Sequence, residues 1–365
     1  MKISIRTIIR STAVALISLG AFALLSTGCA KTIQTSSKDF TKKYFDAWLQ
    51  TNLPNAEHHG LGIYILPELE KEGTGEAITD SSFVMAHFTK RAIDGTIVET
   101  SEEELAKQLG LWKEANWYGP KKIFVYKGST ITGIYETLID MKVGGERTAV
   151  IPSWHTSYKW RDTEQEYIDN NENDADMIIS VKIDDVTKDL EQWTLDSLQS
   201  YCKRNLGLEL KDTTSKGFYY KPLSLPATDT TKAKIKADSS VFINYTGRLL
   251  NGQVFDTTIE DTAKTYHIYD PSRSYKPAKI SWAEKSEDIQ MVTESGASGL
   301  ITGFQKLLWE MNTPQPKGKG CVQKGVGVFW YNLAYKDKAT GGIIPPFSSL
   351  RFDIEFTEDP SKEAK

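Results

Sequence analysis

The stretch INYTGRLLNGQVFDTT, residues 243–258, decides how the rest of the chain is read. Ile243 and Tyr245 alternate with polar neighbours as on a half-buried strand, Asn251-Gly252 supplies a hairpin turn, and Phe255 brings the chain back to an apolar position. Asp256 then sets a carboxylate beside that aromatic ring. A surface hairpin does not need a Phe-Asp pair on its returning strand. A pocket with one apolar wall and one negative charge does.

Moving outward, the chain repeats itself. NYTGRLLNGQVFDT (residues 244–257) has a partner in HFTKRAIDGTIVET (87–100), and ITGFQKLLWEM (301–311) in ITGIYETLIDM (131–141), with Leu138 and Met141 kept as Leu308 and Met311. One fold is used twice. Phe304, Leu307, Leu308 and Met311 stand at i, i+3, i+4 and i+7, the stripe of a short amphipathic helix. Val241, Ile243 and Tyr245, then Phe352, Ile354 and Phe356, and in the first copy Ile179, Val181 and Ile183, alternate as strands. The fold class is therefore α+β: two tandem domains, each an antiparallel sheet with one short helix. Helical stretches precede both copies, from Asp39 and from Asp189.

With 365 residues, 39% hydrophobic and 25% charged, the chain has room for two domains and connectors and is not disordered in composition. Lys2, Arg6 and Arg10, an apolar run over 13–25 and LSTGC ending at Cys29 read as a secretory signal. It is similar to the bacterial lipoprotein signal, whose cysteine carries the lipid, apart from Ser26 where that motif has an aliphatic residue. A plain cleaved signal or a retained span is the alternative, but the run is short of the ~20 residues a span needs. Without residues 1–28 the formal charge of −4 falls by three, which excludes tracking along phosphate backbones and makes nucleic acid an unexpected partner.

Cys202 and Cys321 are too few for a disulfide framework, and a bridge between them is left open. His58, His59, His87, His155 and His267 show no zinc spacing, and no metal or other cofactor is expected. Three segments read as loops: an aromatic insertion at 259–298, either a surface loop or an extension of a groove; an acidic one at 161–176; and a glycine-rich one at 317–327.

NYTGRLLNGQVFDTT, LITGF and NLAYKDKATGGIIPPFSSLRFDIEF (332–356) together resemble the signature stretches of the FKBP-type peptidyl-prolyl cis-trans isomerases. The resemblance implies an aromatic box for a proline ring. It implies catalytic roles for Tyr245, Phe255, Asp256, Ile301 and Tyr335, and substrate-binding roles for Leu300, Phe304, Ile343, Ile344 and Phe352. By the same resemblance, the Ile301 N–H and the Tyr335 hydroxyl would meet substrate carbonyls. The first copy departs at these positions: Phe88 stands for Tyr245, Val98 for Phe255, Glu99 for Asp256, Ile134 for Phe304 and Ile179 for Phe352, with no IIPP.

The expected layout is a signal (1–28), tether and helix (29–61), degenerate FKBP-like domain (62–186), helical linker (187–216), isomerase domain (217–357) and tail (358–365). The expected protein is a lipid-anchored isomerase of the cell envelope, at the outer membrane facing the periplasm, acting on proline-containing segments of exported proteins. A non-catalytic chaperone or peptide-binding lipoprotein is the alternative. A glycan-binding surface using Trp282 and Tyr275 is a third reading.

Overall fold

The computed structural model describes residues 37–114, 116–173, 175–224, 235–312 and 323–360. The signal-like segment, Cys29 and Cys321 lie outside the described residues. Backbone packing divides the chain into two units, Met1–Gln50 and Thr51–Lys365. In the first, helix α1 (Ser37–Asn52) pairs Lys42 with Asp46 one turn on, at 3.4 Å. No helix among the described residues is long and apolar enough to cross a membrane.

The second unit builds the same sheet twice. Its first half runs β1 (Glu57–His59), β2 (Ile63–Ile65), β3 (Thr74–Ala77), β4 (Ser82–Ala92), β5 (Ile97–Thr100), α2 (Glu103–Gln108), β6 (Lys121–Val125), α3 (Thr132–Leu138), β7 (Lys142–Val143), β8 (Glu146–Ile151), α4 (Glu164–Asp169) and β9 (Met177–Thr187). After α5 (Leu190–Leu206) follow β10 (Thr213–Ser215), β11 (Phe218–Pro222), β12 (Ser240–Leu249), β13 (Val254–Thr257), α6 (Glu260–Thr265), β14 (Ala278–Ser281), β15 (Gln290–Thr293), β16 (Gly296–Gly299), α7 (Thr302–Glu310), β17 (Lys324–Phe329) and β18 (Leu350–Thr357). The first sheet is ordered β1-β2-β8-β9-β4-β5 with β6 also on β4; the second is β10-β11-β17-β18-β12-β14-β15-β16 with β13 also on β12. Strand for strand the two orders coincide until β15 and β16, which extend the second. Pairing is antiparallel throughout, so both copies are α+β as the sequence pattern requires.

Register agrees as closely as order. Gly247 faces Asp256 on β13 and Phe352 on β18, while Lys90 faces Glu99 on β5 and Ile179 on β9. Each hairpin carries a bulge one residue further on, between Gly247 and Arg248 and between Lys90 and Arg91.

The signature helix lies directly on its sheet. Phe304, Leu307 and Leu308 of α7 are buried with Ile243, Phe329 and Ile354, and a Cβ on Gly303 would collide with the Phe329 ring. That approach explains the Thr-Gly at the start of both helices, because a Cβ on Gly133 would likewise collide with Ile151. The other face of the second sheet is covered by α5. Leu198, Cys202 and Leu206, one turn apart, pack with Tyr219, Val326, Val328 and Trp330. Asp189 caps the start of α5 by accepting from the Gln192 N–H, and Gly207 ends it in the left-handed region at φ 67. Cys202 is buried and, among the described residues, has no disulfide partner.

Several expectations are corrected. Each sheet begins earlier than the repeat suggests: β1 lies in the stretch read as tether and β10 in that read as linker, because three-residue edge strands such as EHH and TTS show no alternation. The insertion at 259–298 is α6 and three strands, with β14 the counterpart of β6. The acidic segment is no plain solvated loop: it holds α4, which buries Tyr167 against His155 at 4.1 Å between ring centres. Of the glycine-rich segment, the part within the described residues is mostly strand β17. Trp282 is buried in the core, stacked on Trp309, and offers no face to a glycan.

Candidate functional site

All ten residues singled out from the sequence line one cavity of about 680 Å3: Tyr245, Phe255, Asp256, Leu300, Ile301, Phe304, Tyr335, Ile343, Ile344 and Phe352. β12 supplies Tyr245, β13 supplies Phe255 and Asp256, the start of α7 supplies Ile301 and Phe304, and β18 supplies Phe352. Phe352 is the hub. Its ring meets Phe304 edge-on at 4.9 Å and Phe255 edge-on at 5.5 Å, and stacks on Phe329 at 5.8 Å. Tyr245 stands edge-on to Phe304 at 5.5 Å.

The box exists because β12 carries no side chain at Gly247, two residues before its end. A Cβ on Gly247 would lie 2.6 Å from the Phe255 ring and 2.8 Å from the Phe352 ring. Any larger residue there displaces both walls.

One carboxylate, that of Asp256, is fixed at the rim from two sides. The Tyr245 hydroxyl donates to Asp256 Oδ2 at 2.6 Å, and Arg273 Nη1 donates to Oδ1 at 2.6 Å. Burial, and then the Asp256 charge, raise the Tyr245 pKa, so its hydroxyl remains a donor across the physiological range. Burial also raises that of Tyr335, again with Asp256 adding to it. Burial works against the Arg273 charge, but Asp256 more than offsets it and the guanidinium is held ionised. Arg273 comes from the aromatic insertion. There Asp270 accepts from the N–H and hydroxyl of Ser272, and Tyr275 stacks on Tyr269 at 5.4 Å.

Sequence reasoning missed Arg273, because nothing near it forms a pattern. It also missed Gly247, although a glycine inside a strand signals close approach. His267, Ile268, Tyr269, Asp270, Met291, Gly299, Thr340 and Gly341 complete the cavity, so the insertion forms one of its walls. The first copy reaches the rim as well. The Trp117 N–H donates to the Gly342 carbonyl at 3.0 Å, Gln253 Nε2 to the Asn116 carbonyl at 3.1 Å, and Lys122 Nζ to the Phe347 carbonyl at 2.8 Å. These contacts hold the lip that carries Ile343 and Ile344.

The equivalent position in the first copy has different chemistry. Lys90, in the place of Gly247, donates to Glu99 at 2.8 Å, and Lys121 pairs with the same carboxylate at 3.1 Å. Both ammonium groups lie over the Phe88 ring, at 5.1 and 4.7 Å from its centre. Lysine stems and an ion-pair cluster occupy what is an aromatic box in the second copy.

No family model matches the chain. It is 26% identical over 153 residues to a probable FKBP-type peptidyl-prolyl cis-trans isomerase of Haemophilus influenzae, covering 42% of this chain and 47% of that protein. It is 38% identical over 60 residues to a short-type peptidyl-prolyl cis-trans isomerase of Methanocaldococcus jannaschii, covering 16% of this chain and 38% of that protein. The chain thus spans about half or less of the length of these curated relatives. Among solved structures, the crystal structure of the three FKBP domains of a wheat FKBP aligns with 81% of this chain and 94% of its own, at 15% identity and a TM-score of 0.27.

Proposed function

With kinship to the FKBP-type peptidyl-prolyl cis-trans isomerases as the premise, we propose that the second copy catalyses cis-trans isomerisation of Xaa-Pro bonds and that the first copy is non-catalytic. The observation that carries this reading is the convergence of Tyr245, Phe255, Phe304 and Phe352 around one carboxylate fixed by Tyr245 and Arg273.

The chemistry needs no nucleophile. Amide resonance sets a barrier of ~18–20 kcal/mol, and rotation passes through a twisted amide whose nitrogen lone pair is no longer shared with the carbonyl. That state is less polar than the planar one. An aromatic box gripping the proline ring removes the water that favours the planar form. The Ile301 N–H, at the start of α7, and the Tyr335 hydroxyl anchor the flanking carbonyls, so that rotation is confined to one bond. Asp256, held by two donors, keeps its charge at a fixed place beside the twisting group and does not itself move a proton.

The first copy, with a lysine in its box, serves as scaffold: through Asn116, Trp117 and Lys122 it holds the hairpin and lip of the second. Cys29 would carry a lipid and α1 would belong to the tether, placing the isomerase at the cell envelope beside exported proteins whose Xaa-Pro steps are slow. Membrane attachment is tested separately, by lipid labelling of the wild type and of Cys29→Ser.

The experiment is the cis-to-trans rate of a proline tetrapeptide with the chain from Ala30 onward. Acceleration that is lost in Asp256→Ala and kept in Glu99→Ala is the expected result. A folded wild type that gives no acceleration refutes catalysis and leaves a peptide-binding protein.

A further inference from the structure

The cavity of the second copy is larger than one proline ring needs: about 680 Å3 is room for a drug-sized molecule, so residues beside the proline enter it too. On the wall that the insertion helps to build, Ile268, Met291 and Leu300 are half-buried aliphatics packed on the core of this copy. Asp270 follows Ile268 by two residues and is exposed. Its carboxylate is oriented by Ser272, whose N–H and hydroxyl both donate to Oδ1, at 2.8 and 2.7 Å, while Oδ2 has neither a hydrogen bond nor a paired cation among the described residues. The Ser272 hydroxyl and then its N–H lower the Asp270 pKa, so the negative charge stands throughout the neutral range.

Charge along the cavity is not balanced. Two carboxylates line it, Asp256 and Asp270, and among the described residues no lysine or arginine does. Arg273 answers Asp256, at 2.6 Å. The other basic groups near this wall are committed elsewhere: Lys264, over the Tyr269 ring at 5.0 Å, pairs with Glu260 at 2.6 Å, and His267 stands 3.6 Å from Glu114 of the first copy. Asp270 is left as net negative charge beside aliphatic surface. A side chain that matches has a hydrocarbon stem and a cationic end, as lysine and arginine do. A glutamate would bring a like charge to Asp270, and a plain aliphatic chain would leave that carboxylate to water.

We propose that Asp270 is a specificity-determining residue of this site, and that the segments the second copy favours carry lysine or arginine next to the proline. The stem of that residue lies on Ile268, Met291 and Leu300, and its charge meets Asp270. Because Asp270 is exposed, water and salt screen it, and the preference is a matter of severalfold. This role rests on the isomerase reading of the same cavity and names the substrate class within it.

The test is kcat/KM for blocked tetrapeptides with lysine, glutamate or norleucine immediately before or immediately after the proline, norleucine matching the lysine stem without its charge. At one of the two positions the wild type is expected to favour lysine over glutamate about threefold or more, with norleucine between them, and the ratio is expected to fall toward one in about 1 M salt. Asp270→Asn, shown to be folded by its melting transition, is expected to bring lysine and glutamate within about 1.5-fold of each other. Should that variant not fold, Asp270→Ser takes its place with the same expectation. If norleucine peptides are accelerated but lysine and glutamate are treated alike at both positions, or if the preference survives the loss of the Asp270 carboxylate, this role is overturned and the isomerase reading stands. If no peptide is accelerated, the isomerase reading fails and this role fails with it.

Discussion

The two copies share a frame down to single hydrogen bonds and differ at one strand position that decides what the frame can hold. In the second, the Tyr245 N–H donates to Thr258 Oγ1 at 2.9 Å and the hydroxyls of Thr246 and Thr257 meet at 3.0 Å. In the first, the Phe88 N–H donates to Ser101 Oγ at 2.8 Å and Thr89 meets Thr100 at 2.9 Å. Beside this common lattice stands Gly247 in one copy and Lys90 in the other. Glycine lets two rings close around a cavity; lysine fills the space and pairs with the carboxylate that follows. Strand order, register and helix contact are thus separable from the pocket they support.

Moving the first copy's residue into the second should have the largest effect. Gly247→Lys is expected to lower prolyl isomerisation about 100-fold or more and to cost about 1–3 kcal/mol of stability, because its Cβ alone overlaps two ring walls. Isomerisation rates and denaturant unfolding check both parts. Arg273→Gln is milder. It frees Asp256 on one side while Tyr245 still holds the other, so a loss of about three- to tenfold in kcat/KM is expected, with stability changed by less than about 1 kcal/mol because the pair is partly exposed.

The comparison extends to the signature helix, where the first copy has a buried acid, Glu136, at the position of Lys306 in the second. Burial pushes the Glu136 carboxyl up to about 7 from 4.5, although the Leu61 N–H that it accepts opposes the shift. The fold therefore favours its neutral form, and the stability this gives is whole below about pH 4.5 and is lost as pH rises through about 7. His155 nearby behaves in the opposite sense. Burial pushes it down to about 4 from 6.5, so its contribution stands above about pH 6.5 and is lost as pH falls toward 4. Glu136→Gln removes only the first of these. Its melting midpoint should gain on the wild type between about pH 5 and 8, by the equivalent of about 1–3 kcal/mol. A constant difference across that range would contradict the assignment. Least affected of all should be catalysis in Lys90→Ala. It restores no aromatic wall, since Ile134 and Ile179 stand where the second copy has Phe304 and Phe352 and Val98 is exposed, and isomerisation should stay within about twofold of the wild type.

Much of this was legible in the sequence, for a physical reason. Period-two burial of Ile243 and Tyr245, the stripe of α7 and the shared I-T-G each report packing against a sheet, and packing leaves a local pattern. The box was legible because its members are fixed to that frame at set registers. Arg273 was not: it reaches Asp256 from an irregular segment through tertiary contact. Nor were β1 and β10, whose three residues are too few for a period.

Proline is expected to enter the second copy and not the first. Methyl NMR of isoleucine-labelled protein, titrated with a Leu-Pro tetrapeptide, tests it directly. Ile301, Ile343 and Ile344 are expected to shift with a common affinity while Ile134 and Ile179 stay in place. Shifts at Ile134 and Ile179, or none at Ile343 and Ile344, would contradict it.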